Sequence, residues 1–321
     1  MSYAVDPELA HWLPGIPEID VGDARKARET ERSLSARCPE PDLAGLTVED
    51  REVPGRHGAP PVPVRVYRPR QGSGRLPAVL HMHSGGFVSG GLHTEHAGAA
   101  AIAESVGAVV VSVDYRLAPE HPHPAAVVDC YAALLWLAET AEDLGVDPAC
   151  IAVSGQNAGG GLAAAVALLA RDCGGPALTF QALGTPALDD RLATESMWTC
   201  VDTPVWHRGN AKQSWAAYLG DEAGGPRVSS YAAPARATDL TRLPPAYVTA
   251  SQFDPFRDEA LEYARRLAQA NVPVELHLYP GTFHGSTFVA GAAVSRRIAA
   301  DLVDALRRVL AVAPPASARL P

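Results

Sequence analysis

The stretch Val153-Ser154-Gly155-Gln156-Asn157-Ala158-Gly159-Gly160-Gly161 constrains this chain more than any other. It follows the short apolar run Cys150-Ile151-Ala152-Val153, which reads as a buried strand. It precedes Leu162 to Arg171, an alanine- and leucine-rich run that reads as a helix. Gly155 and Gly159 flank the sharp turn between the two, with Asn157 at its centre. A strand that passes straight into a helix in this way belongs to an α/β architecture and presents one residue at the strand's carboxyl end.

The same order recurs along the chain. Val62 to Tyr67, Leu76 to Met82, Ala108 to Val113, Leu178 to Leu183, Ala246 to Ser251 and Val274 to Tyr279 are further strand-like runs. Between them Thr94 to Val106 reads as a helix with Thr94 as N-cap, and Ala125 to Leu144 as a long helix. A helix carrying Ala260, Ala264, Leu267 and Ala268 on one face ends with Asn271 at C′, and Val294 to Val309 forms a last helix with one apolar stripe. This repetition predicts a mostly parallel central sheet with helices on both faces. Two segments break the pattern. Residues 1–50 are polar and helical in character, while 189–240 carries no parallel-strand signal and holds Trp198, Trp206, Trp215 and Tyr218. They are expected to form a helical cap (1–50 as its N-terminal segment, 189–240 as an insertion) over a main domain of residues 51–188 and 241–313. Residues 314–321 read as a frayed tail.

Composition narrows the function classes. A net charge of −9 with no long basic run argues against nucleic-acid partners. No apolar stretch reaches the roughly 18 residues that a membrane span needs. The N-terminus lacks the basic and apolar regions of a signal peptide. The five cysteines are scattered and include no C-x-x-C, which suits free thiols in a reducing cytoplasm. A cytoplasmic location is therefore expected.

The chemistry-bearing residues gather at strand ends. His83-Ser84-Gly85-Gly86-Phe87 follows one strand, and its glycine pair lets backbone N–H groups approach a ligand closely. Position 157, Asp254 and His284 follow three others, in the chain order nucleophile, acid, histidine. His81, His83, His93, His96, His121 and His123 have no helix-borne ligand spacing, so neither a metal nor a cofactor is expected.

Five motifs in order carry a family resemblance. His83 to Phe87 resembles H-G-G-G-F/W, Tyr115-Arg116-Leu117-Ala118-Pro119-Glu120 matches Y-R-L-A-P-E, and Gly155 to Gly160 resembles G-D-S-A-G-G. Asp254 to Asp258 resembles D-P-L-R-D, and Phe283-His284-Gly285 matches F-H-G. From about residue 60 to the last helix, the chain resembles the hormone-sensitive lipase (bacterial family IV) esterases, which have the α/β-hydrolase fold. The resemblance implies that Asp254 orients His284 and that His284 acts as general base and then acid. It places the oxyanion hole at the N–H groups of Gly85, Gly86 and Ala158, with His83 shaping that loop through a hydrogen bond. Asp258 and His277 are the rival acid and histidine, set aside because one sits a turn into a helix and the other within a strand. Ser84, Phe87 and Trp206 are candidates to line a pocket for small- to medium-chain acyl esters, although a tryptophan of the insertion can equally pack the insertion itself. Arg116 and Glu120 read as a buried polar pair. A homodimer is a further suggestion of the resemblance.

The departure lies at Asn157, where the family has its nucleophilic serine. A carboxamide has no nucleophilic oxygen of that kind, so the acyl-enzyme route is closed. The fold tolerates the change, because asparagine accepts a positive φ better than most residues. Gln156 and Ser84 also depart from the pattern but need not disable it. Several readings follow: an esterase silenced at one residue; a lyase, dehydratase or isomerase that uses the His284–Asp254 base and the oxyanion hole without an acyl-enzyme; a non-catalytic ligand-binding protein; and, as a minor one, deamidation of Asn157 to an aspartate nucleophile.

Overall fold

The computed structural model describes all residues except 1–2, 18, 38–39, 57, 72–73 and 311–321. The tail 314–321 and Cys38 therefore lie outside the described residues. The strands are β1 Leu46–Val53, β2 Val62–Pro69, β3 Leu76–Met82, β4 Val109–Val113, β5 Val146–Gln156, β6 Phe180–Gly184, β7 Ala246–Phe253 and β8 Val274–Phe283. They form one sheet in the order β1-β2-β4-β3-β5-β6-β7-β8. The pairs β1/β2 and β2/β4 are antiparallel and every other pair is parallel.

The helices are α1 Pro7–Ala10, α2 Ala24–Ser35, α3 His96–Val106, α4 Ala125–Glu139, α5 Ala158–Asp172, α6 Glu195–Thr199, α7 Arg208–Leu219, α8 Arg257–Gln269 and α9 Ala293–Leu310. The period of two along each strand sends neighbouring residues to opposite faces. Leu80, Val111, Val153, Leu183 and Val248 join the core built with α4, α5 and α8. Val79, Val110, Ala152, Ala182 and Tyr247 join a second core beneath α3 and α9. Central strands buried on both faces explain why their sequences read as continuous apolar runs.

Several boundaries differ from the sequence reading. β1 begins at Leu46, inside the segment expected as cap, and its middle residues Glu49 to Glu52 are exposed. Its charges suit a sheet edge, where they discourage pairing with another chain. They also hid the strand from a search for apolar alternation. Thr94 is not the N-cap of α3. That position is Glu95, and the Thr94 hydroxyl instead accepts from Gly91 N and donates to Glu31. α4 stops at Glu139 rather than Leu144, where the Thr140 hydroxyl turns back onto Trp136 O at 2.7 Å. Asn271 does adopt φ 57° after α8, as a C′ residue should.

Segment 189–240 holds α6, α7 and short 3-10 turns, with no strand among its described residues. Trp215 and Tyr218 are buried, packed on Phe87, whereas Trp198 is exposed. Among the described residues no helix is long and apolar enough to cross a membrane. Cys130, Cys150, Cys173 and Cys200 are all free thiols.

Candidate active site

The site is assembled from the carboxyl ends of parallel strands. β5 runs into Asn157, the first residue before α5. β3 ends at Met82 and releases the loop His83 to Phe87. β7 and β8 end at Phe253 and Phe283, one residue short of Asp254 and His284 respectively. Four short loops at these strand ends thus converge on one point.

The turn at Asn157 demands its glycines. A Cβ on Gly155 would lie 2.4 Å from the Gly159 carbonyl carbon, and one on Gly159 would lie 2.1 Å from Met82 O. Asn157 itself sits at φ 54° and ψ −121°. Its side chain caps α5, accepting from Ala158 N.

The side chains meet in a chain of short hydrogen bonds. Asp254 Oδ2 is 2.7 Å from His284 Nδ1, while its Oδ1 accepts from Phe256 N at 2.8 Å. His284 Nε2 is 2.8 Å from Asn157 Nδ2. Asn157 Oδ1 accepts from Gly86 N at 2.8 Å and from Ala158 N at 2.6 Å. These partners fix the orientation of the amide, since the opposite flip would set its NH₂ against two N–H donors. They also fix the imidazole: Nδ1 carries the proton toward Asp254, and Nε2 accepts from the carboxamide. All three residues are buried, Asp254 fully, so these bonds operate largely without water.

The glycine loop is held from beneath. The His83 ring stacks on Tyr115 at 4.1 Å, and Tyr115 Oη donates to His83 O at 2.8 Å. His83 Nδ1 lies 2.7 Å from Ser84 O. Burial pulls the His83 imidazole below its usual pKa and pushes the Tyr115 phenol well above its own, so both stay neutral. Glu95, the N-cap of α3, faces Ser84 N at 3.3 Å. Gly85 and Gly86 take φ 124° and 60°. A Cβ on Gly86 would lie 2.5 Å from Trp206 Cη2. Arg28 of α2 reaches the same loop through Val88 O at 2.8 Å.

Not every candidate residue meets the others. The two donors on the carboxamide oxygen are Gly86 and Ala158, and Gly85 supplies the turn that aims Gly86. Trp206 lies over the site with its ring 5.6 Å from His284. Phe87 is buried against Tyr218, ring centroids 4.0 Å apart. Ser84 is nearly buried. None of these three lines the cavity of about 340 Å³, and neither do Asn157, Asp254 and His284; that cavity runs along α3 and α9, past Gln156, Thr185, Gly285 and Thr287. Asp258 is occupied with Ser196 N and Arg257, and His277 with Glu275. Arg116 and Glu120 are not a pair. Arg116 bonds Asp129 twice, at 2.7 and 2.8 Å, and Glu120 takes Arg28 at the surface. Asp129, Glu95 and Arg28 escaped the sequence reading, because each acts across a chain separation and belongs to no matched motif. Among the described residues no three His, Cys, Asp or Glu side chains gather as metal ligands.

A family model described as the alpha/beta hydrolase fold matches residues 79–288, which contain all of these residues except Arg28. The chain is a hormone-sensitive-lipase-type α/β-hydrolase. Its relatives in this esterase family include the carboxylesterase NlhH of Mycobacterium tuberculosis, 43% identical over 283 residues and 88% of each chain. Esterase LipI of the same organism is 38% identical, covering 90% of this chain and 89% of that one. Among solved structures, a bacterial heroin esterase superposes with a TM-score of 0.94 at 49% identity, covering 96% of this chain and 98% of that one. This α/β-hydrolase therefore belongs to a family of carboxylic ester hydrolases.

Proposed function

We propose that this chain is an esterase scaffold for small acyl esters whose hydrolytic route is stopped at Asn157. In the intact cycle a hydroxyl at position 157 loses its proton to His284 Nε2 and attacks the ester carbonyl. The oxyanion that forms takes the N–H groups of Gly86 and Ala158, Asp254 steadies the imidazolium, and His284 protonates the leaving alcohol. Asn157 removes the attacking hydroxyl. It also fills the oxyanion position, because its own Oδ1 already holds both donors. That double effect is the observation that carries the reading.

The alternative of a lyase, dehydratase or isomerase has less support. It needs the same two donors free to polarise a substrate carbonyl and His284 Nε2 free to take a proton, whereas Asn157 engages all three. The relatives' names, carboxylesterase and esterase, favour ester substrates. The deciding experiment compares hydrolysis of short-chain p-nitrophenyl esters by the native chain and Asn157→Ser. Turnover by the serine form alone is expected. A folded serine form that turns over none of them would overturn the reading.

A further inference from the structure

We propose that this site acts on its own side chain, hydrolysing the carboxamide of Asn157 to a carboxylate and releasing ammonia. The inference rests on the reading of His284 and Asp254 given above, applied to a different bond. Seen as a ligand, the Asn157 side chain is an amide bound as an amide substrate would be. Its carbonyl oxygen sits between two N–H donors, Gly86 and Ala158, at 2.8 and 2.6 Å. Its nitrogen, the leaving group, lies 2.8 Å from His284 Nε2. Asp254, 2.7 Å from Nδ1, stands ready to steady the imidazolium that proton transfer creates.

The step balances with water as the only co-reactant. The carboxamide N–H first turns off His284 Nε2; water then adds its oxygen to Cγ and gives a proton to the freed Nε2, and the carbonyl electron pair moves onto Oδ1 between the two donors. The pair then returns, the Cγ–N bond breaks, and His284 passes its proton to the departing nitrogen, which leaves as ammonia. The side chain at position 157 is left as a carboxylic acid, which passes its remaining proton to the ammonia to give a carboxylate and ammonium, and nothing is oxidised or reduced. The common rival route is closure onto the following backbone nitrogen. Here that nitrogen belongs to Ala158, opens helix α5 and already donates to Oδ1. Closing the ring would sacrifice that bond and the helix start, so the proposed route yields ordinary aspartate and no isoaspartate.

The test incubates the folded native chain in heavy-oxygen water and follows the peptide containing residue 157 by mass spectrometry. Conversion of Asn157 to aspartate with one heavy oxygen and no isoaspartate is expected. It should slow by about a hundredfold in His284→Ala, the scale of one lost acid–base group. His284→Gln, which keeps hydrogen-bonding capacity at that position, should lose the reaction equally, and circular dichroism establishes that both variants fold. Unchanged Asn157 after prolonged incubation overturns the proposal, as does isoaspartate as the main product or an equal rate in the His284 variants. Asn157→Ser, assayed in parallel, separates the two readings. Ester turnover there with an unchanged native Asn157 leaves the silenced esterase standing and removes self-hydrolysis, whereas failure of both removes both.

Discussion

The carboxamide oxygen of Asn157 stands 2.8 Å from the backbone nitrogen of Gly86. That nitrogen comes from the loop after β3, and the oxygen from the turn after β5. In the proposed esterase reading, their meeting puts Asn157 where an ester's oxyanion would form, and it ties the two loops together.

Truncating the occupant should therefore be better than keeping it. Asn157→Ala lacks a nucleophile too, but it leaves Gly86 N and Ala158 N free. Such sites retain a residual rate of roughly 10³–10⁴ over water from the oxyanion hole and binding alone. Asn157→Ala should hydrolyse p-nitrophenyl acetate measurably faster than the native chain. Equal rates for the two would show that the carboxamide does not block the hole.

Gly86 should resist any side chain. At φ 60° an alanine would be strained, and its Cβ would press on Trp206 Cη2 and Ser214 Oγ, each 2.5 Å away. Gly86→Ala should lower stability by about 1–3 kcal/mol. In an Asn157→Ser background it should also reduce kcat. Adding Trp206→Ala should recover part of the stability, which a double-mutant cycle in urea would measure.

The Arg116–Asp129 pair is a second fixed point behind the site. Asp129 is 1% exposed, accepts two bonds from the guanidinium and takes Arg116 N at 3.0 Å. Asp129→Ala leaves the guanidinium without its partner and should destabilise by about 3–5 kcal/mol. A fall in the urea midpoint of less than about 1 kcal/mol equivalent would place this pair with the weak surface ones.

Glu120 offers the contrast and a pH signature. Hydrogen bonds from Arg28 hold its carboxyl down at about 2, against an ordinary value of 4.5. A depressed folded value means that the stabilisation is fully present above 4.5 and drains away as the pH falls through 2. Because the carboxylate is more than half exposed, the amount should stay under about 1 kcal/mol. Urea midpoints of the native chain and Glu120→Gln should differ slightly at neutral pH and converge near pH 2. A gap that widens on acidification would contradict the assignment.

What the sequence determined by itself was the alternation of elements and the identities at their ends. Apolar runs are readable wherever a strand is buried on both faces, and glycine is readable where backbones touch, as at Gly155 and Gly159. The chain order of position 157, Asp254 and His284 followed from the same local signals. What it could not supply were relations that depend on where distant segments come to rest. β1 was missed because an edge strand wears charges on its exposed face. Arg116 was matched to the wrong partner because Glu120 is near in sequence, while Asp129 is brought to it by the packing of α4. The state of Asn157 was the largest such gap. Its lack of a nucleophile is a property of the residue type and could be read directly. Its hydrogen bonds to the Gly86 nitrogen and to His284 are a property of three loops meeting, and only the tertiary structure brings Gly86, Asn157 and His284 together.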